Sequence, residues 1–364
     1  MSLIDQQVNP QLRTLNVYEI GKPIEETARE LGLDPKTIIK LASNENPLGP
    51  SPKAVEAMKQ AAAFSHLYPD GHSYYLTTAL SKKFNIPTDC ITLGNGSNEI
   101  IELLGHAFLN SDSEVVVSRH AFLVYKLMAQ LFGAKCIEAP DKDFQHDLSA
   151  MLKVVTPKTK LLIVANPNNP TGTMVDAKAI DALMQQLPSH VIAVFDEAYF
   201  EFVQNPPDCL RYVREGKNVV VMRTFSKSQG LAGLRIGYGF APAFITSWLQ
   251  RSRQPFNINA MAQAGALAAL RDEDHQIKTR KTVEEGRKFL EEAFAKLNLS
   301  FVRSYANFIL VKVGKGKEIF KRLLAQGIIV RAMDAYQLPE YIRVTIGTSD
   351  QNKRFIETLT KELV

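Results

Sequence analysis

One lysine of this chain stands in a setting that favours covalent chemistry. Lys227 ends the segment Thr224–Lys227 (TFSK), which follows the apolar run Val219–Met222 and precedes the glycine-rich stretch Gly230–Gly237. A lysine in a Ser/Gly-rich turn after a buried strand suits an amine whose pKa is lowered, so that it can form Schiff bases. Because most single lysines are solvated surface residues, the segments that accompany Lys227 decide this interpretation.

Two further polar segments directly follow apolar runs. Asp196 comes after Val191–Phe195 (VIAVF), where a carboxylate is costly unless it pairs with a cation. The segment Asn166–Gly172 (NPNNPTG) follows Leu161–Ala165 (LLIVA), and open α/β sheets bind ligands at such strand ends. The alternative for Asp196 is a helix N-cap. Turn chemistry explains the prolines and the glycine of the second segment, although it leaves the three asparagines unexplained.

A fourth segment could hold a phosphate group. Gly94–Glu99 (GNGSNE) follows the apolar run Ile91–Leu93 and opens an amphipathic stretch. Glycines allow a sharp turn, and the free N–H groups of a first helical turn bind phosphate with the help of the helix dipole. A plain strand-to-helix turn is the alternative interpretation.

The absence of characteristic motifs argues against several other kinds of catalytic or binding site. The sequence contains no GxxxxGK[ST], no HExxH and no GxSxG, and its GxG pairs lack the third glycine of a dinucleotide fingerprint. We expect no metal site, since the histidines and cysteines show no paired ligand spacing. The net charge is +5, from 43 basic and 38 acidic residues, and the basic residues form no continuous block in the sequence. Nucleic acid is therefore not expected as a partner.

Strands and helices alternate between about residues 91 and 240, where the four segments lie. Near-continuous apolar runs predict strands buried on both faces of a mostly parallel sheet, and amphipathic runs predict helices between them. The pattern predicts a three-layer α/β domain. The predicted strands are Glu114–Ser118, Leu161–Ala165, Val191–Phe195, Val219–Met222 and Ile236–Phe240, and the helices are Glu99–Leu109, Phe122–Phe132 and Ala177–Leu187.

A smaller α+β unit is expected after Pro255. The charged, uninterrupted pattern of Glu273–Leu297 predicts one long helix. This helix could be a connector between domains or a solvated surface helix. We expect an N-terminal segment of residues 1–43 that packs with the small domain and a dimer partner, a large ligand-binding domain of 44–255, and an interdomain helix with a small domain in 256–364. The other elements predicted outside the large domain are helices at Pro23–Leu31, Ala260–Leu270, Lys317–Gln326 and Asp350–Leu363, and strands at Asn307–Val313, Ile328–Ala332 and Tyr341–Ile346.

The sequence also indicates a compartment. Its start, MSLIDQQVNPQLRTL, has no apolar core of signal-peptide length. The longest apolar stretch, Ala121–Ile137, is interrupted by Lys126 and Lys135, which makes a transmembrane helix unexpected. Three cysteines, far apart and odd in number, suit a reducing environment. We therefore expect a soluble cytoplasmic protein.

Taken together, the motifs resemble those of pyridoxal-phosphate-dependent aminotransferases of the aspartate aminotransferase fold, also called fold type I. The resemblance covers essentially the whole chain, and the order and spacing of the motifs carry it. It implies a three-layer αβα large domain with a mostly parallel sheet and a smaller α+β domain. The motifs are LASNENPLGPSP (41–52), YPDG (68–71), GNGSNE, ANPNNPTG, DEAYFEF, RTFSKSQGLAGLRIGYG and IRVTIGT (342–348).

The resemblance assigns roles around the cofactor pyridoxal 5'-phosphate. Lys227 would form the Schiff base and carry the substrate proton, and Asp196 would keep the ring nitrogen protonated. Asn169 and Tyr199 would bind the phenolic oxygen of the ring, and Phe122 would stack on the ring where relatives usually carry tyrosine. Helix core is the alternative for Phe122. The phosphate group would be bound by Ser97, Asn98, Thr224, Ser226 and Arg235.

The resemblance also concerns partners and substrate. Tyr68 of YPDG would reach the cofactor phosphate of a neighbouring subunit, which implies a homodimer. Arg343 would bind the anionic end of the amino donor, Arg331 would add a second cation for a phosphate dianion, and Tyr18 would add a hydroxyl contact. A surface strand residue is the alternative for Arg331.

The reaction implied is transamination of L-histidinol phosphate with 2-oxoglutarate, which gives imidazole acetol phosphate and L-glutamate in histidine biosynthesis. An aromatic amino-acid aminotransferase and a threonine-phosphate decarboxylase stay open as alternatives on the same scaffold. A catalytically silent ligand sensor is disfavoured, because Lys227, Asp196, Asn169 and Arg235 are all present.

Overall fold

The computed structural model describes residues 3–15, 17 and 21–363. The helices are α1 Leu3–Gln7, α2 Ile24–Leu31, α3 Pro52–Ala62, α4 Tyr74–Phe84, α5 Ser97–Phe108, α6 Leu123–Leu131, α7 Leu148–Lys153, α8 Ala177–Gln186, α9 Leu210–Arg214, α10 Ala243–Ser252, α11 Ala260–Leu270, α12 Glu273–Lys296, α13 Gly316–Ala325 and α14 Ser349–Glu362. The strands are β1 Ile39–Lys40, β2 Ile91–Gly94, β3 Glu114–Ser118, β4 Lys135–Ala139, β5 Asp141–Lys142, β6 Gln145–His146, β7 Thr159–Ala165, β8 Ile192–Asp196, β9 Val219–Thr224, β10 Gly237–Phe240, β11 Phe301–Val302, β12 Phe308–Lys312, β13 Ile328–Ile329, β14 Arg331–Ala332 and β15 Tyr341–Thr345.

A seven-stranded sheet forms the centre of the molecule, in the order β2-β10-β9-β8-β7-β3-β4. Only β10 is antiparallel to its neighbours, so the expected mostly parallel α/β sheet is confirmed. Each of the five strands predicted for this sheet begins and ends within two residues of its predicted bounds. The edge strand β4 was not predicted, because its exposed Lys135 and Glu138 interrupt the apolar run that marks a central strand.

The core lies on both faces of this sheet. Successive strand residues point to opposite faces, so Val116 of β3 packs in one apolar cluster while Val115 and Val117 pack in the other. Helices α5, α6 and α10 cover the second face, and α4, α8 and α11 are among those that cover the first. The sheet is therefore the rigid middle layer of three.

The carboxyl ends of β2, β7, β8 and β9 meet at one edge of the sheet. Strands β7, β8 and β9 are parallel neighbours. Gly237 of β10 lies opposite both Gly94 of β2 and Thr224 of β9, and β10 is antiparallel to both strands, so β2 runs in the direction of β9. A Cβ atom at Gly237 would lie 2.4 Å from the backbone nitrogen of Ser97, so only glycine permits this close approach. The four polar segments therefore emerge together.

A second, four-stranded antiparallel sheet has the order β11-β12-β15-β14. Helices α12, α13 and α14 share an apolar cluster with its central strands, which includes Leu290, Leu323 and Phe355. The helices predicted at Lys317–Gln326 and Asp350–Leu363 are present within one residue of their bounds.

The predicted strand Ile328–Ala332 was wrong as a single strand. It divides at the buried Val330 into β13 and β14, which belong to different sheets. Strand β13 pairs in parallel with β1, through Ile39 and Lys40 of the N-terminal part, whereas β14 pairs with β15. A continuous apolar run does not reveal such a division, because the partner strand comes from almost 300 residues earlier in the chain.

Helix α12 connects the two sheets. Its first turns lie beside the layers of the central sheet, where Thr279 accepts a hydrogen bond from Asn46 and Gln276 donates to the carbonyl of Ala269 in α11. Its later turns place Val283 and Phe294 in the core of the four-stranded sheet. Among the described residues, no helix has both the length and the apolar character needed to cross a membrane.

Candidate active site

A cavity of about 280 Å³ opens at the edge where the polar segments meet. It contains almost every residue that the sequence singled out, although these come from distant parts of the chain. The predicted residues that line it are Ser97, Asn98, Phe122, Asn169, Asp196, Tyr199, Thr224, Ser226, Lys227, Arg235, Arg331 and Arg343.

Lys227 presents its amine in this cavity. Its Nζ donates to the carbonyl oxygen of Ser43 at 3.0 Å and lies 5.8 Å from the ring centre of Tyr199. Burial lowers the pKa of the amine to about 8, and the positive charge of Arg343 acts in the same direction. The lowered pKa increases the fraction of the amine that is unprotonated, and so nucleophilic, close to neutral pH.

Asp196 is the last residue of β8 and is almost completely buried. Its Oδ2 accepts a hydrogen bond from the hydroxyl of Tyr125 at 2.6 Å, and its Oδ1 accepts one from the backbone N–H of Ala198 at 3.1 Å. Burial raises the pKa of the carboxyl, and the bond from Tyr125 opposes that rise. No helix begins at Asp196, so the N-cap alternative is wrong, and the carboxylate is available to a cationic group in the cavity.

Donors for an anion converge at the N-terminus of α5. Ser97 and Asn98 are its first residues, and Gly96 precedes them without a capping side chain. Nη1 of Arg235 donates to the Ala232 carbonyl at 3.0 Å and to Oγ of Ser226 at 3.5 Å. A Cβ atom at Gly96 would lie 2.3 Å from Nη2 of Arg235, so the glycine leaves room for this guanidinium. A helix N-terminus, hydroxyl groups and an arginine together suit a phosphate.

Two arginines form a second cationic centre. Arg331 of β14 is paired directly opposite Arg343 of β15 in the antiparallel ladder, and both side chains line the cavity. Arg343 donates to Oδ1 of Asn169 and, at 2.7 Å, to the carbonyl of Ala42. Since cross-strand neighbours lie on the same face of a sheet, two cations can reach one anionic group.

The comparisons with known proteins agree with this geometry. The family model of aminotransferases class I and II matches residues 36–359. The chain belongs to this family. It is 52% identical to the histidinol-phosphate aminotransferase of Akkermansia muciniphila, over 99% of both chains, and 46% identical to that of Moorella thermoacetica, over 96% of this chain and 91% of the other.

A solved structure shares the whole fold of this aminotransferase. It is that of histidinol-phosphate aminotransferase from Sinorhizobium meliloti in complex with pyridoxal-5'-phosphate, with a TM-score of 0.91 and 25% identity. The match covers 98% of this chain and 97% of that chain. The sequence-based expectations of an aminotransferase and of fold type I are thereby confirmed.

Tyr68 and Tyr18 are the two predicted site residues that are not among the described residues lining the aminotransferase cavity. Tyr68 is 83% exposed and stacks on Phe256, with ring centres 4.8 Å apart. Tyr18 lies outside the described residues. The role expected of Tyr68 involves a neighbouring subunit, so its exposure on a single chain leaves that role a prediction.

Sequence reasoning missed three residues that the aminotransferase cavity brings together. Tyr125 binds Asp196, Asn44 donates to the hydroxyl of Tyr199 at 2.9 Å, and the carbonyl of Ser43 receives the lysine amine. Tyr125 stands in the apolar helix α6, where a tyrosine is indistinguishable from core. Ser43 and Asn44 belong to the motif LASNENPLGPSP, but their contacts with Lys227 and Tyr199 span 184 and 155 positions of the chain, which the motif alone does not reveal.

Proposed function

We propose that this protein is a pyridoxal-phosphate-dependent aminotransferase that converts L-histidinol phosphate and 2-oxoglutarate into imidazole acetol phosphate and L-glutamate, a step of histidine biosynthesis. One observation carries the proposal: a single cavity holds a lysine amine of lowered pKa, a buried carboxylate and two separate cationic centres. The names of the relatives at 46–52% identity support the substrate.

The residues present fit pyridoxal 5'-phosphate. The N-terminus of α5, with Ser226 and Arg235, offers the donors that its phosphate needs, and the absence of a side chain at Gly96 leaves room for the Arg235 guanidinium beside that N-terminus. The carboxylate of Asp196 suits the ring nitrogen, and Phe122 offers an aromatic face. When bound, this cofactor supplies an aldehyde that condenses with amines and a ring that accepts electrons.

The chain's own residues then perform four tasks. Nζ of Lys227 would act as the nucleophilic amine towards the cofactor aldehyde, and the same atom would take the proton from the substrate Cα. Asp196 keeps a positive charge on the ring nitrogen, because a nearby carboxylate favours the protonated form. Tyr199 and Asn169 bind the phenolic oxygen, and the bond from Asn44 to the Tyr199 hydroxyl fixes that hydroxyl in place.

The paired arginines support the choice of substrate. Histidinol phosphate carries a phosphate dianion, whereas phenylalanine and tyrosine carry a single carboxylate. Arg331 and Arg343 together match a dianion, and Arg343 alone is sufficient for one carboxylate of glutamate. Tyr18 is proposed to add a hydroxyl contact.

A homodimer is proposed as the assembled form, with Tyr68 reaching the cofactor phosphate of the partner's site. An exposed apolar surface supports it, since patches of this kind mark protein–protein contacts. The exposed apolar residues of this surface lie around the YPDG motif in the sequence, except for Phe256, which stacks on Tyr68. They are Phe64, Leu67, Tyr68, Tyr74, Tyr75 and Phe256. We also propose the division into large and small domains near residue 255, and a cytoplasmic location, which the unbridged cysteines Cys90, Cys136 and Cys209 suit.

Steady-state kinetics test the proposed function. The purified protein with its cofactor is assayed with histidinol phosphate, phenylalanine and tyrosine as amino donors, and threonine phosphate is tested for release of carbon dioxide. We expect kcat/KM to be highest for histidinol phosphate. A preference of about tenfold or more for an aromatic amino acid, equal to about 1.4 kcal/mol of transition-state stabilisation, would overturn the assignment.

A further inference from the structure

A second cavity lies between the central sheet and helix α12. It encloses about 890 Å³ and is bounded by the end of α4, the segment 200–206, the turn after Lys227 and the side of α12 from Gln276 to Arg287. The reaction described above uses none of its charged side chains.

Three buried polar atoms in its wall have no hydrogen-bond partner among the described residues. They are Oε2 of Glu201, Oε1 of Gln229 and Nε of Arg287. Gln229 is only 3% exposed, and its Nε2 donates to the other oxygen of Glu201 at 3.0 Å. Because buried polar groups are nearly always paired, the two free oxygens indicate a missing donor.

No hydrogen bond of normal geometry reaches these two oxygens from the neighbouring groups, among which Nη1 of Arg223 and the hydroxyl of Ser228 are also buried without a partner among the described residues. The guanidinium of Arg223 stacks on Phe200 and is bound to Glu197 at 2.8 Å. Burial raises the pKa of Glu201 to about 7, although Gln229, Ser228 and the positive charge of Arg223 oppose that rise. A cationic group of a ligand could therefore bind to two acceptors that the fold already positions, Oε2 of Glu201 and Oε1 of Gln229.

Cations, a second carboxylate (Glu284), neutral polar groups and apolar side chains make up the rest of the wall. Arg280, Arg287 and Arg303 line the same cavity, and Nη2 of Arg287 is held by the carbonyl of Ala306 at 3.0 Å. Arginines of this kind recognise carboxylates through two parallel hydrogen bonds. The apolar part of the wall consists chiefly of Phe84, Phe200, Tyr238, Leu270 and Val283.

We propose that this interdomain cavity is a binding site for a free α-amino acid with an apolar side chain. The ammonium group contacts Glu201 and Gln229, the carboxylate contacts Arg287 with the adjacent arginines, and the side chain packs against the apolar wall. The cavity is large enough for such a molecule, and its two kinds of polar group match the two charges of an amino acid.

The site is connected to the catalytic turn through the chain itself. Gln229 follows Lys227 by two residues, and the N–H of Gly230 donates to the Lys227 carbonyl at 3.0 Å to close the turn. Glu201 likewise follows Tyr199 by two residues. A bound amino acid restrains both segments, so we expect it to alter kcat. This effect on turnover rests on the proposed function, whereas binding at the cavity does not.

Calorimetric titration of the cofactor-loaded protein tests the proposal. The probe is L-leucine, and the matched ligands are N-acetyl-L-leucine, which lacks the ammonium charge, and L-leucinamide, which lacks the carboxylate. We expect L-leucine to bind at least about tenfold more tightly than either analogue. Absence of binding up to about 10 mM, or equal binding of all three, overturns the proposal.

Variants locate the binding site. Glu201→Gln and Arg287→Met should each weaken L-leucine binding by about tenfold or more. Arg303→Met changes an exposed residue of the same wall, so it serves if either of those variants fails to fold. Arg343→Met should leave L-leucine affinity unchanged, because Arg343 lies in the other cavity. Loss of binding in Arg343→Met alone would mean that leucine occupies the active site, which refutes the second site without affecting the proposed transamination.

Discussion

The hydroxyl of Tyr125 donates a 2.6 Å hydrogen bond to Oδ2 of Asp196, and both side chains are almost completely buried. Burial raises the pKa of Tyr125 well above its ordinary value, so the phenol stays a neutral donor. It thereby stabilises the ionised carboxylate, which is the form that the proposed mechanism requires.

Tyr125→Phe removes that single hydroxyl and keeps the ring. A hydrogen bond to a charged group contributes about 1.5–3 kcal/mol, so we expect kcat to fall by about ten- to a hundredfold. The acid limb of the pH profile should move to higher pH, because Asp196 loses a group that lowers its pKa. Tyr212→Phe is the matched control, since it removes a bond to Asp181, whose side chain is not in the cavity. An unchanged kcat and pH profile in Tyr125→Phe would show that the bond is only structural.

Lys227 is expected to reduce the stability of the protein without cofactor. Its pKa is about 8 in the folded state and about 10.4 when unfolded, so between these values the unfolded state binds more protons and stability rises with pH. Below pH 8 the full cost of burying the charge is present. Lys227→Met should therefore increase the free energy of unfolding at pH 7 by ~1–3 kcal/mol, and this gain should disappear as pH rises towards 10.5.

Urea unfolding of the cofactor-free protein at pH 7 and pH 10 measures this change. Lys281→Met is the control, because Lys281 is exposed and its contact with Glu285 is at 3.8 Å. A Lys227→Met variant that is less stable than the wild type at pH 7 would mean that the bond from Nζ to the Ser43 carbonyl outweighs the desolvation of the amine.

Arg331 is expected to distinguish a dianionic substrate from a monoanionic one. Arg331→Met should lower kcat/KM for histidinol phosphate by about ten- to a hundredfold, and it should affect phenylalanine by much less, since the second cation matters most for a phosphate dianion. Arg343→Met should impair both donors, because Arg343 binds whichever anion is present. Equal losses for both donors in Arg331→Met would make Arg331 a structural residue of β14.

Asn46 joins the lysine turn to helix α12. Its Nδ2 donates to the carbonyl of Ser228 at 2.7 Å and to Oγ1 of Thr279 at 3.1 Å. Asn46→Ala leaves both buried acceptors unpaired and should lower the free energy of unfolding by about 2–4 kcal/mol, together with kcat. Thr279→Val removes only the contact with α12 and should cost ~1 kcal/mol with little loss of kcat. Comparable kcat losses in the two variants would show that the α12 contact, and not the turn, governs activity.

The sequence by itself determined the elements and motifs that depend on neighbouring residues. Strands β3, β7 and β9 are apolar runs, and the polar segments at their ends follow from turn chemistry. The order of these segments was also sufficient for the resemblance to an aminotransferase. Each expected site residue belongs to a motif of a few neighbouring residues, as Lys227 does to Thr224–Lys227 (TFSK).

Only the tertiary structure decided which distant side chains meet. The bond from Tyr125 to Asp196 joins a helix to a strand 71 positions away, and the bond from Asn44 to Tyr199 spans 155 positions. The separation of β13 from β14 likewise depends on a partner, Ile39, at the other end of the chain. The physical reason is that apolar periodicity reports whether a residue is buried, whereas its hydrogen-bond partner is set by how the layers pack.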